Sequence, residues 1–315
     1  MPAILGSRYF WPLAAVAVAL VSSSPAVALV LGALLALIWG NPQVALTGKL
    51  AKYLLQAAVV LLGFGLQLGL VLKVGASSLG ITFFSITLTL ALGFGLSFLF
   101  RVGRELTTLL SSGTAICGGS AIAAIAPAIG ASPANTALSL AIVFLLNALA
   151  LVVFPYVGQM LDLSQEAFGL WSALAIHDTS SVVGATAIYG EKALAVGTTV
   201  KLTRALWILP LSFVCSRLTR HQSGAKTPWF LGGFLLAALV RSSFGGGVVW
   251  WDRLADVGRF LMVATLFLIG GGLTRASLRQ IGLRPFFMAV VLWLIVAGVS
   301  LAAVSQDWIN LSLPV

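Results

Sequence analysis

The sequence predicts an all-α polytopic membrane protein of about 10–11 transmembrane segments, two of them discontinuous. Three observations lead there. Hydrophobic residues make up 60% of the 315 and charged ones only 8%, whereas about a quarter of a soluble domain is charged. Apolar runs near the ~20 residues needed to cross a bilayer follow one another, separated by short polar links. Two runs, Ser111–Pro127 and Ala175–Ser181, carry glycine and polar side chains at mid-length, where an uninterrupted membrane helix carries neither.

The first segment has an apolar core from Phe10 to Val21 after Arg8 and before Ser22-Ser-Ser24. It reads as a short membrane helix rather than a signal peptide, because no small-x-small cleavage site follows the core. Later spans read as Pro25–Gly40, Gly48–Leu72, Leu79–Phe100, Glu105–Gly130 (broken), Pro133–Val157, Ser164–Tyr189 (broken), Ala193–Leu218, Pro228–Val240, Asp252–Leu273 and Pro285–Val304. Together they form a single integral membrane domain over 1–315, with internal repeats near 25–157 and 164–304. With the N-terminus in the cytoplasm, the inside loops hold Arg8, Lys49, Lys52, Arg101, Arg104, Arg217, Arg220, Lys226, Arg275, Arg279 and Arg284. The outside loops hold Lys73, Lys192, Arg241 and Arg253. This excess favours N-terminus in and C-terminus out, in a bacterial inner membrane. The net charge of +10 therefore reports topology; basic residues scattered singly at span ends are not a nucleic-acid surface.

Two pairs of segments echo each other. Leu61-Leu-Gly-Phe-Gly-Leu-Gln67 matches Leu268-Ile-Gly-Gly-Gly-Leu-Thr274, and Ala115-Ile-Cys-Gly-Gly-Ser120 matches Ala175-Ile-His-Asp-Thr-Ser180. The first pair lies in the third and tenth spans, an odd step apart, so those copies are inverted. The second pair is parallel if both segments cross fully and inverted if both are re-entrant, and the loop charges do not decide between the two.

Gly118 and Gly119 weaken the helix, and Thr114 and Ser120 can bond to freed backbone groups. Such a break in hydrocarbon survives only when buried in protein or lining a cavity. The new half-helix opening at Gly118–Ser120 offers free N–H groups and a positive end to an anion; the plainer reading is close helix packing through small residues. In the second motif, His177 and Asp178 lie roughly 20 Å along their span, where ionisable groups cost ~2.5–3.5 kcal/mol and face a cavity or partner. Asp178 alone is explained as the N-cap of a half-helix beginning at Thr179, and His177 alone as a hydrogen-bonded core histidine. The whole run His177-Asp178-Thr179-Ser180-Ser181 is too polar for packing, and it is read as a substrate or proton site. Lys201 and Arg204 lie three apart on one helix face. They are read as attracting an anion and pairing with Asp178, against snorkelling to the headgroups. Arg259 has a local partner in Asp256, and Cys117 is read as a small filler.

The runs AICGGSAIAAIAP, LAIHDTSSVVGA and TTVKLTRALWILP resemble the YeiH-type family of bacterial inner-membrane proteins, described as sulfate exporters. The resemblance covers nearly the whole chain. It implies an inverted-repeat transporter distantly like sodium–proton antiporters and bile-acid transporters. Some members carry an arginine where this chain has Gly65 and a glutamate at Asp178, so the acidic function can be kept.

The function expected is therefore a secondary active transporter, not an enzyme, exporting or exchanging a small anion, with sulfate-like oxyanions first. Thr114, Cys117, Gly118, Gly119, Ser120, Thr179, Ser180, Ser181, Lys201 and Arg204 are its candidate binding residues, with His177 and Asp178 coupling to protons. The alternatives are a cation–proton antiporter using Asp178 and a membrane thiol enzyme using Cys117 and His177. No P-loop, no HExxH spacing and no paired-cysteine cluster occurs in the sequence, so neither a cofactor nor a metal is expected. The partners expected are the small anion and the lipid bilayer, without nucleic acid; assembly with further copies of the chain stays open.

Overall fold

The computed structural model describes residues 9–22, 25–65, 67–219, 229–244, 248–279, 282–306 and 308–309. Arg8, Arg220 and Lys226, counted above for orientation, lie outside the described residues. Among those described, all regular structure is helical. The chain divides into two compact units: Met1–Leu72 with Pro228–Arg279, and Lys73–Thr227 with Gln280–Val315. Each draws on both halves of the sequence.

In the first unit, α1 (Phe10–Val21), α2 (Pro25–Trp39) and α3 (Val44–Gly63) pack with α12 (Trp229–Ser243) and α13 (Val248–Gly270), and a short α14 (Arg275–Arg279) follows. α13 lies against α1, α2 and α3, and α3 also against α12. Small residues allow the close approach. A Cβ on Gly32 would drive into the Phe267 carbonyl, and one on Gly270 into that of Leu29, as expected where dispersion rather than solvent exclusion joins helices. Asn41 ties the α2–α3 turn down by donating to Gly271 O at 2.8 Å. Arg259 pairs with Asp256 at 2.7 Å, the local ion pair the sequence suggests.

The second unit contains most of α4 (Leu68–Phe100), then α5 (Arg104–Ala115), α6 (Gly119–Ala128), α7 (Pro133–Met160), α8 (Gln165–Ala175), α9 (Thr179–Tyr189), α10 (Glu191–Ala205), α11 (Ile208–Thr219) and α15 (Leu283–Ser305). Five described helical stretches are long and apolar enough to span a bilayer: Val44–Gly63, Val71–Phe100, Ala134–Met160, Glu191–Leu218 and Leu283–Ser305. The fourth, expected as one helix over Ala193–Leu218, turns at Leu206 and Trp207. Pro210 explains the turn: it has no N–H for the Leu206 carbonyl, and its ring would clash with that oxygen.

The two interrupted segments do not cross. α5 and α6, of 12 and 10 residues, are each roughly 15–18 Å long, about half of a ~30 Å hydrocarbon core. They run back on each other. Ile122 of α6 meets Gly113 of α5, and at the mouth the Ser132 N–H donates to Glu105 Oε1 at 2.5 Å. α8 and α9 repeat the arrangement. Tyr189 Oη donates to Leu163 O at 2.6 Å, its ring stacks on Phe168 at 3.8 Å, and Gln165 Oε1 accepts from Lys192 N at 3.0 Å. Both segments therefore double back as helical hairpins, the re-entrant form of the two that sequence leaves open.

A single helix, α7, fixes their relation. The first hairpin's mouth adjoins its start at Pro133, and the second hairpin's mouth follows its end at Met160. The hairpins thus enter from opposite ends of the unit. Asn147 of α7 accepts from the Asp178 N–H at the second tip at 3.0 Å, and Val143 of α7 lines the first tip at Gly118. Asn147 is 14 residues from one end of α7 and 13 from the other, roughly 20 Å from each. Both tips therefore lie level with the middle of α7.

Candidate functional site: two opposed hairpin tips

The tips touch. Gly118 has φ +61°, and a Cβ there would lie 3.3 Å from Asp178 N and 3.4 Å from Asp178 Cα. Only glycine allows both that backbone and that approach. Thr114, Cys117, Gly118, Thr179, Ser180 and Ser181 are all buried around this contact, while Gly119 is half-buried and Ser120 exposed.

Each tip breaks a helix into a negative C-terminal end and a positive N-terminal end, and the second tip compensates both. Asp178 caps α9 by accepting from Ser180 N at 3.0 Å and from the Ser180 hydroxyl, as an N-cap aspartate should. The C-terminal carbonyls of α8 take the two buried cations. Lys201 Nζ donates to Ile176 O at 2.6 Å and to Ala173 O at 3.3 Å. Arg204 Nη1 donates to Leu174 O at 2.5 Å and to Ala173 O at 3.1 Å. Trp293 Nε1 of α15 takes the remaining Ala175 O at 3.1 Å. Both cations are 0% exposed, so neither snorkels. The ion pair with Asp178 expected from sequence is not formed: among the described residues the salt bridges are Lys192–Glu166, Arg241–Asp252 and Arg259–Asp256. The α8 carbonyls, rather than a carboxylate, satisfy these charges.

The first tip lacks such compensation. No described group accepts from the N–H of Gly119 or Ser120. No acidic residue stands in the first turn of α6. The result is a positive half-helix end, open at Ser120, of the kind that takes an anion.

Several buried polar groups at and near the tips have no partner among the described residues: Thr114 Oγ1, Asn147 Nδ2, Ser172 Oγ and both ring nitrogens of His177. Cys117 and His177 therefore share no hydrogen bond, and the pairing that a thiol nucleophile needs is not formed here. Among the described residues no group of three or more His, Cys, Asp or Glu side chains could hold a metal ion. Sequence reasoning missed Asn147 and Trp293. Asn147 is signalled, however, as the lone amide in the apolar run Ser139–Phe154, where such a residue usually bonds to another helix.

This arrangement defines a polytopic helical membrane protein with two opposed re-entrant hairpins. The chain belongs to the YeiH-type family of UPF0324 membrane proteins. The family model described as Conserved hypothetical protein 698 matches residues 9–289. A UPF0324 membrane protein of Geobacter sulfurreducens is 49% identical over 281 residues, covering 89% of this chain and 91% of that one. One from Bdellovibrio bacteriovorus is 45% identical over 318 residues, covering 96% of each. A third, from Bacteroides thetaiotaomicron, is 43% identical and covers 89% of this chain and 86% of its own. No solved structure matches the chain.

Proposed function

We propose that this protein is a secondary active transporter that exports or exchanges a small anion, with sulfate-like oxyanions the first class to test. The observation that carries the reading is the uncapped start of α6: Gly119 and Ser120 present free N–H groups where Asp178 closes the equivalent end of α9. Thr114 and the Asn147 amide supply further unpartnered polar atoms near the tips, and Lys201 and Arg204 act through their field rather than by contact. His177 is the proton carrier in this scheme, buried with neither nitrogen engaged. Its charge on protonation would join that of the two cations in balancing the anion. The hairpins form an inverted pair, and alternating access would expose their tips to one face and then the other. The charge bias puts the N-terminus and the mouth of the first hairpin in the cytoplasm, in a bacterial inner membrane. The antiporter reading loses ground because the Asp178 carboxylate already receives the start of α9.

The test is uptake of labelled sulfate into proteoliposomes, with thiosulfate, phosphate and small carboxylates as competitors. Ser120→Asp places a carboxylate where the anion would sit. A negative charge in the first turn favours the helix by about 0.3–1 kcal/mol, so the variant should melt no lower than wild type. Uptake should fall by about tenfold or more, the effect of roughly 1.4 kcal/mol of lost anion binding. Wild-type uptake in the Ser120→Asp variant, or wild-type protein moving none of these anions, would overturn the assignment.

A further inference from the structure

We propose that the break of the first hairpin binds a dehydrated monovalent cation of sodium size, held by the last carbonyls of α5 and the Thr114 hydroxyl. This rests on the transporter reading and names a co-bound ion for the same tip.

The two hairpins treat three matching carbonyls, those of Thr114, Ala115 and Ile116 against Leu174, Ala175 and Ile176, in opposite ways. In Ala115-Ile-Cys-Gly-Gly-Ser120 and Ala175-Ile-His-Asp-Thr-Ser180 the breaks fall at equal positions. At the second, Ala173, Leu174, Ala175 and Ile176 all have donors: an ammonium, a guanidinium and an indole. At the first, Ser112 O accepts from Ile116 N and Gly113 O from Gly118 N at 2.8 Å. The next four carbonyls, of Thr114, Ala115, Ile116 and Cys117, accept from no described residue. These residues are 2%, 0%, 0% and 1% exposed, so solvent does not take the donors' place. Buried carbonyls without partners are rare in folded proteins, and four in succession at the negative end of a half-helix require a positive partner.

The neighbouring side chains give no protein cation. α5 has no basic residue in its last turn. α7, which passes the first tip, presents Val143 to Gly118 and Phe144 to Gly119; Lys201 and Arg204 are spent on α8. What the tip offers is hard oxygen: main-chain carbonyls and Thr114 Oγ1, which is 98% buried and has no partner of its own. Such a set suits a monovalent metal ion, and it lacks the thiolate, imidazole and carboxylate clusters that transition metals prefer. The location also explains why a cation is tolerated beside two others. Asp178, an acidic residue, lies with its backbone against Gly118, and an anion on the Gly119 and Ser120 N–H groups would sit on the adjacent half-helix end. Each ion lowers the cost of the other, which is a coupling between the two sites.

Thermal melting of purified full-length protein in detergent tests this without any transport. At equal ionic strength and with no sulfate, sodium chloride should raise the melting temperature above choline chloride by about 3 °C or more when sodium is well above its dissociation constant. Potassium chloride should raise it less. Thr114→Val, isosteric but without the oxygen, should lose the sodium shift, and Thr114→Ser should keep it. Equal melting of wild type in sodium, potassium and choline overturns the site, and so does a sodium shift that survives in a folded Thr114→Val. Protein that binds sodium but carries no anion keeps this site and removes the transport reading. Anion uptake with no sodium shift does the reverse.

Discussion

Gly118→Ala is expected to cut anion uptake by roughly 5-fold or more although it adds one methyl group. Gly118 has φ +61° and ψ −121°, a backbone conformation that L-residues with a Cβ scarcely occupy. Its strain costs about 1–3 kcal/mol, enough to cut the population of the native tip by roughly 5-fold or more. The methyl group would also meet Val143 Cγ1 at 3.2 Å and the Asp178 backbone at 3.3–3.4 Å. The Val143 side chain can yield; the Asp178 N–H cannot easily, because Asn147 holds it. Gly80→Ala is the control. It lies within α4 with nothing near its added Cβ, and replacing a mid-helix glycine gains up to about 1 kcal/mol. Sulfate uptake in proteoliposomes should fall by roughly 5-fold or more in the first variant and persist in the second. Equal uptake in both would mean that the tip contact plays no part in transport.

The second large effect is on folding. In the Lys201→Met, Arg204→Met double variant the end of α8 loses four charge-assisted hydrogen bonds. Bonds of that kind contribute about 1.5–3 kcal/mol each. Set against them is the relief of no longer burying two charges, about 2.5–3.5 kcal/mol apiece on insertion scales. The lost bonds win on balance, and the carbonyls of Ala173, Leu174 and Ile176 are left unpaired in the membrane interior. The double variant should melt several degrees lower and elute polydisperse on size exclusion. Arg204→Lys, which can still reach one carbonyl, should lie between. A melting temperature equal to wild type would contradict the capping role and return the two cations to direct contact with substrate.

The fold class is legible because bilayer chemistry leaves few choices: long apolar runs must satisfy their backbone as helices. The interruptions are legible for the same reason, since Gly118-Gly119 and His177-Asp178 make poor helix centres. Whether those segments cross or return is decided by contacts between residues far apart in sequence, such as Glu105 with Ser132 and Tyr189 with Leu163. Nothing in local periodicity encodes those pairings. Lys201 and Arg204 were visible as buried cations but not their partners, because main-chain carbonyls leave no mark in a sequence. Asp178 was drawn toward them by charge alone, whereas the free N–H groups of α9 hold it more closely.

An anion site at the tips requires both interrupted segments to be re-entrant hairpins whose tips meet. Single-cysteine labelling in intact and inverted membrane vesicles measures this most directly, with Cys117 and Cys215 replaced by serine and cysteines placed at Arg101, Ala134, Leu161 and Lys192, all exposed. Cysteines at 101 and 134 should react with an impermeant maleimide from one face and those at 161 and 192 from the other. Cysteines at 101 and 134 reacting from opposite faces would show that the first segment crosses the membrane, and the opposed-hairpin site would not exist.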